Sequence, residues 1–162
     1  MGWVLSLDEM RRERAQLAAE GKRLVMTNGV FDLLHIGHAR YLAQARALGD
    51  ALLVAMNDDE SVRSLKGPSR PIVPLTDRAE LLAALAAVDY VVPFSEPTAA
   101  VVVESLKPDI YVKGGDYGPD KPLPEAEVVR AYGGEVRILP FVENRSTSDL
   151  IRAILAITSP TN

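Results

Sequence analysis

The sequence predicts an α/β protein built on an open parallel sheet of five strands with helices on both faces. Three observations carry this expectation. Short, β-branched apolar runs alternate with segments of helical periodicity, which is the pattern of a parallel sheet wound with helices. Most glycines and prolines fall at the joints between those segments. A chain of 162 residues, 48% of them hydrophobic, has enough apolar side chain for one sizeable core and too little length for two ordinary domains. Residues 1–162 are therefore expected to form one domain, with residues 1–22 an N-terminal helical extension and residues 23–157 the core.

Taken in order, Ser6 and Glu9 have capping-box spacing for a helix running to about Glu20. That helix is expected to pack outside the sheet and is assigned no chemistry. Leu24–Thr27, Ala51–Met56, Tyr90–Val92, Ile110–Val112 and Val136–Leu139 read as strands. The intervening helices are expected at Ile36–Leu48, Asp59–Leu65, Asp77–Ala87, Thr98–Leu106, Glu125–Tyr132 and Thr147–Ile157, with Leu81, Leu82 and Leu85 supplying one apolar face. Gly49 and Gly133 stand where helix C′ residues are expected, and Pro108 and Pro124 stand at boundaries. Two connections are longer than folding alone needs: Lys66–Leu75, with three prolines, and Gly114–Pro124, with two glycines before Asp116 and three prolines after it. In open α/β sheets ligands bind outside the carboxyl ends of the strands, so both loops are candidate site elements.

Composition removes several classes of function. A net charge of −4 leaves no electrostatic footprint for a nucleic-acid backbone, although a local basic cleft for a small phosphate ligand is compatible with it. Without cysteine there is no disulfide and no thiolate zinc site. The N-terminus reaches charged residues too early for a secretory apolar region, and no apolar run approaches the roughly 20 residues of a membrane span. A cytoplasmic protein that binds neither nucleic acid nor membrane is the expectation.

The strongest signal for function runs from Thr27 to His38, TNGVFDLLHIGH, at the passage from the first expected strand into the helix after it. Both histidines of the chain lie here, at i and i+3, so two imidazoles share one face of a first helical turn beside free backbone N–H groups and the positive end of the helix dipole. That arrangement suits a polyphosphate. Gly29 would let the backbone approach a ligand, and Gly37 would leave room beside the helix start. Neither the G-x-G-x-x-G dinucleotide fingerprint nor a Walker loop is present in this turn. A metal site from Asp32, His35 and His38 is conceivable but finds no further ligand, and histidines that merely cap or pack the helix are the remaining alternative.

Gly29-Val30-Phe31-Asp32 followed by His35-Ile36-Gly37-His38 resembles the cytidylyltransferase-like superfamily of HxGH nucleotidyltransferases. Within it, the segments LKGPSRP from Leu65, VKGGDY from Val112 and RSTS from Arg145 are similar to the adenylyltransferases of ADP-heptose synthesis, with the likeness running from about Val25 to Leu155. The resemblance implies a Rossmann-like fold and transfer of AMP from ATP to D-glycero-D-manno-heptose 1-phosphate, releasing pyrophosphate and forming ADP-heptose for a bacterial envelope or glycan pathway such as lipopolysaccharide. It implies in-line attack without a covalent enzyme intermediate. His35 and His38 would stabilise developing charge, and Mg²⁺ would be held mainly by the nucleotide's phosphates. Protein ligands for the metal stay unassigned.

The same resemblance distributes the other roles. Lys66 is expected to assist catalysis and hold the sugar phosphate, with Asp32, Arg70, Arg78 and Tyr117 binding the acceptor. Asn28, Gly29, Val30, Phe31, Gly37, His38, Lys113, Gly114, Asp116, Ser146, Thr147 and Ser148 are expected around the nucleotide. Each has a plainer reading: Lys66 and Arg78 as solvated surface cations, the Gly114-Gly115-Asp116 run as a turn with an Asx cap, and the Ser146–Ser148 hydroxyls as helix caps. Ser148 stands where the related pattern has a second threonine. Related enzymes imply a homodimer and, because many of them are fused to a sugar kinase, coupling to a separate kinase here. Glycerol-3-phosphate cytidylyltransferase is the alternative of the same chemistry, and a non-catalytic nucleotide-sensing module the alternative of another class.

Overall fold

The computed structural model describes residues 1–115, 123–140 and 146–158. In chain order the elements are β1 (Trp3–Val4), α1 (Leu7–Ala19), β2 (Leu24–Gly29), α2 (Ile36–Arg46), β3 (Ala51–Asn57), α3 (Asp59–Lys66), α4 (Leu75–Ala83), β4 (Tyr90–Phe94), α5 (Ala100–Leu106), β5 (Ile110–Gly114), α6 (Pro124–Ala131), β6 (Glu135–Leu139) and α7 (Thr147–Thr158). All strand pairs are parallel, in the order β1-β4-β3-β2-β5-β6. Among the described residues no helix is long and apolar enough to cross a membrane.

Strict alternation along the central strands sorts the core onto two faces. Leu24 and Met26 point to a cluster with Met10, Leu17, Val102, Val103, Leu106 and Val129, contributed by α1, α5 and α6. Val25, in register between them, points to the opposite cluster with Leu42, Ala45, Ala79 and Leu82 from α2 and α4. β3 is buried at every residue, as a strand covered on both sides must be.

The structure corrects the sequence reading in four places. The sheet has six strands, because Trp3 and Val4 pair with Tyr90 and Val91 at its edge; two exposed residues carry no periodicity to read. The N-terminal segment is no extension either: Met10 is fully buried and Leu17 nearly so, both inside the core. The Ser6–Glu9 capping box itself is present as expected. α4 begins at Leu75 behind an N-capping Pro74 and ends at Ala83, so Leu82 is buried while Leu81 faces solvent. Gly133 does follow the α6 C-cap with φ near +84°, a left-handed conformation that suits glycine. Gly49 has another reason, since a Cβ there would stand 2.7 Å from Val25 Cγ2 and 2.9 Å from the Arg23 carbonyl oxygen.

Gly49→Ala should therefore overpack the junction between α2 and the strand pair β2/β3, lowering stability by about 1–3 kcal/mol as read from the denaturant midpoint at unchanged slope.

Candidate active site

Strand order reverses at β2: β3 and β4 follow to one side, while β5 returns to the other. Adjacent connections diverge at such a point and leave a crevice at the carboxyl ends of the strands. A cleft of about 430 Å³ lies there. It is lined by residues 28–32 leaving β2, by His35, Gly37, His38 and Tyr41 around the start of α2, by Lys66 and Arg70, by Lys113 and Gly114 at the end of β5, by Pro140, and by residues 146–148 opening α7. Most of the residues singled out from sequence, though scattered over 120 positions, are thus brought to one cleft, about 120 being the separation of the first and last in the chain.

The two histidines occupy the first turn of α2. His35 is the N-cap residue in extended conformation, yet its side chain makes no capping bond. The rings stack with centroids 3.8 Å apart, and the Phe31 ring lies 5.2 Å from that of His38. Gly29 makes room for Phe31: a Cβ on it would come within 2.9 Å of the Phe31 ring, so its lack of a side chain serves packing. Burial pushes the pKa of His38 down to about 4, with the neighbouring His35 adding to the effect, and burial also lowers that of His35. Both rings are therefore neutral near pH 7. Their Nδ1 atoms are buried without a hydrogen-bond partner among the described residues, a state of the site that a polar ligand would relieve.

Asp32 lines the cleft, but its carboxylate is already engaged. It accepts from Arg70 Nε at 2.5 Å and from the backbone N–H groups of Ile72 and Val73 at 2.9 Å. Burial works to raise its pKa, and these donors outweigh it and hold the pKa below the usual carboxylate range. Asp32 thus fastens the loop after α3 against the turn after β2, and Arg70 lines the cleft as its partner. Arg78, expected to reach the substrate phosphates, is corrected outright. It is fully buried, donating to the carbonyls of Val73, Val30 and Asn57 and pairing with Asp59 at 2.6 Å. A guanidinium with that many fixed acceptors is a structural tie between loops.

Lys113 donates to the Asn28 carbonyl at 3.1 Å and to Asn28 Oδ1 at 2.5 Å, linking the ends of β5 and β2. Burial lowers its pKa, and the charge of Glu125 opposes the shift. Ser146 caps α7, accepting from Asp149 N at 3.1 Å, so the capping reading holds for this hydroxyl; Thr147 Oγ1 donates to the Leu33 carbonyl at 3.3 Å and draws the starts of α7 and α2 together. Lys66 ends α3 at the cleft wall. Asp116 and Tyr117 lie outside the described residues. Tyr41 was missed: its hydroxyl lies 2.7 Å from Thr27 Oγ1 and 3.1 Å from the Val112 carbonyl. Its position three residues after His38, on the same helix face, is the signal that would have found it.

Charge in the cleft runs against that of the chain. Among the described residues, Lys66, Arg70 and Lys113 face a single lining carboxylate, Asp32, although the protein as a whole is acidic. A parallel sheet with a cationic cleft at its switch point, walled by two helix starts and a pair of neutral imidazoles, has the arrangement expected of the HxGH nucleotidyltransferase class. The chain belongs to the cytidylyltransferase-like family, whose model matches residues 26–153. It is 52% identical over 151 residues to the bifunctional protein HldE of Ectopseudomonas mendocina, an alignment covering 93% of this chain and 32% of that one. With the HldE of Alkalilimnicola ehrlichii the identity is 53% over 148 residues, 91% of this chain and 31% of the other. The chain spans about a third of the length of these curated relatives. Among solved structures, a lipopolysaccharide core biosynthesis protein from Thermoplasma volcanium superposes with a TM-score of 0.61 at 32% identity, covering 77% of this chain and all of that one. Pantoate-beta-alanine ligase from Francisella tularensis, at 14% identity and a TM-score of 0.62, covering 94% of this chain and 77% of its own, shares the fold.

Two outcomes follow from this geometry. Asp32→Ala leaves Arg70 and two N–H groups without their acceptor and should cost about 3 kcal/mol in a denaturant melt. For His38 the unfolded imidazole titrates near 6.5 and the folded one near 4. As pH falls between those values the unfolded chain takes up a proton that the folded chain refuses, so stability present above pH 6.5 is progressively lost. Melting curves across this range should show a shallower loss in His38→Gln than in the native protein.

Proposed function

We propose that this cleft transfers AMP from ATP to a sugar 1-phosphate, D-glycero-D-manno-heptose 1-phosphate, giving ADP-heptose and pyrophosphate. The observation that carries the reading is the stacked, neutral His35–His38 pair with its unsatisfied buried nitrogens, set at the start of α2 in the same cationic cleft as the start of α7. Backbone N–H groups at both helix starts and the cations Lys66 and Arg70 form a cradle for a triphosphate, with Lys113 behind Asn28. The choice of ATP and heptose is supported by the KGPSRP and KGGDY segments, by the similarity to HldE proteins and by the likeness to a lipopolysaccharide core biosynthesis protein.

In this reading an oxygen of the acceptor phosphate attacks the α-phosphorus in line. The new P–O bond forms as the α–β bridging bond breaks and pyrophosphate departs. Negative charge grows on the non-bridging and leaving oxygens, and each neutral imidazole has one N–H to donate to it. A polyanion arriving beside the pair would raise the pKa of either ring. Among the described residues no three His, Asp or Glu groups gather as a metal cage, and the one lining carboxylate is engaged by Arg70. The donor set therefore fits Mg²⁺ carried mainly by the phosphates, where it would neutralise the leaving pyrophosphate. A separate sugar kinase supplying the acceptor, a homodimer and a cytoplasmic location belong to the same proposal and are supported by family resemblance.

The test is pyrophosphate release with Mg²⁺, each of ATP, CTP, GTP and UTP, and a panel of heptose 1-phosphate, glycerol 3-phosphate and hexose 1-phosphates. ATP with heptose 1-phosphate should turn over, and His38→Ala should lower turnover about a hundredfold or more while leaving the protein folded. Turnover only with CTP and glycerol 3-phosphate would keep the chemistry and overturn the substrate.

A further inference from the structure

Asn28 is the penultimate residue of β2, in register with Ala55. Its side chain meets two residues of β5 that share one face, Tyr111 and Lys113. Tyr111 Oη donates to Asn28 Oδ1 at 2.5 Å, and Lys113 Nζ donates to the same oxygen at 2.5 Å. An ammonium can only donate, so the oxygen end of the carboxamide must face it; a flipped amide would set an NH₂ group against a cation. The two donors fill Oδ1 and leave Nδ2 as the side chain's remaining polar atom, with no partner among the described residues. Asn28 and Lys113 both line the cleft.

Lys113 adds an electrostatic argument. Among the described residues it has no carboxylate at ion-pair distance, and the Glu125 carboxylate, whose charge it feels, accepts instead from Ala99 N at 3.0 Å. A half-buried cation without a paired anion is unfavourable until one arrives. A corner with this charge favours an anionic acceptor.

Resting on the nucleotide reading above, we propose that Tyr111 and Lys113 lock the Asn28 carboxamide with its nitrogen toward the cleft, so that Asn28 donates to a phosphate oxygen of the bound nucleotide and Lys113 acts through it as a positioning residue. The arrangement deepens the site's preference for a polyphosphate: the neutral amide reads an acceptor oxygen, and the ammonium behind it both fixes and polarises the donor. An aspartate at position 28 would keep the oxygen that Tyr111 and Lys113 hold and would turn an anion toward the phosphates.

Calorimetric titration of the full chain with ATP, without acceptor so that binding alone is read, tests this. Asn28→Asp should weaken ATP about thirtyfold without lowering the melting temperature, and Asn28→Ala about tenfold, the loss of one hydrogen bond to a charged group. Lys113→Met should cost about tenfold in the native background and less than about twofold on top of Asn28→Ala, because its effect passes through the amide. Tyr111→Phe carries the same coupling test if Lys113→Met does not fold. Inorganic tripolyphosphate should lose affinity in parallel with ATP, and adenosine should not. Native affinity in Asn28→Asp, equal costs of the Lys113 change in both backgrounds, or an effect confined to adenosine would each overturn the inference while the nucleotide reading stands. A native protein that binds no NTP would overturn that reading and this one together.

Discussion

The reversal of strand order beside β2 is the constraint on which the rest of the structure depends. β2 and β5 pair through Val25–Ile110 and Met26–Tyr111, yet β3 and β4 intervene in the chain. The segments leaving these two strands must turn away from each other, and neither can fill the space above the pair. Tyr41 spans that gap from α2, touching Thr27 on β2 and the Val112 carbonyl on β5. Asn28 and Lys113 bridge it from the strands themselves. The crevice is therefore both a consequence of the winding and a place whose floor is bonded across the two strands.

Around that floor, loops are fixed by charge as well as by apolar packing. Asp32 gathers Arg70 and the N–H groups of Ile72 and Val73, while Arg78 gathers carbonyls from three segments and the Asp59 carboxylate. Both knots are buried, so each partner is left costly if the other is removed. They hold the turn after β2 and the loop after α3 in one arrangement, and this preorganises the cleft wall that carries Lys66 and Arg70. An acidic chain thereby lines its cleft with cations.

The histidine pair shows how burial tunes such a site. Two imidazoles in van der Waals contact cannot both be charged in a desolvated turn, and desolvation with mutual repulsion keeps His38 neutral well below physiological pH. A neutral ring offers one donor and one acceptor, so the pair can give hydrogen bonds to phosphoryl oxygens without holding two buried charges beforehand. The helix start beneath contributes backbone donors with no titration at all.

Much of this was legible in the linear sequence because it rests on local physics. Alternation of β-branched runs with helical periods announced the parallel sheet, Ser6 and Glu9 announced the first helix, and the glycine-flanked pair at positions 35 and 38 announced the helix start that lines the cleft. These features lie within a few residues of one another, where spacing fixes geometry. What sequence could not decide depended on contacts between distant segments. β1 exists because residues 3 and 4 find an edge strand nearly 90 positions away. Gly49 is small because Val25 passes close to it, and Gly29 because Phe31 folds back over it. Arg78 and Asp32 read as phosphate and substrate contacts until the fold supplied buried partners for both. A charged side chain in a sequence carries no sign of whether it will meet solvent, ligand or another part of the chain. Local spacing was enough for the class of fold and for the segment that lines the cleft; the assembled fold was needed to sort the charges that face the cleft from those that tie its walls, because desolvation and pairing are properties of residues brought together from distant points in the chain.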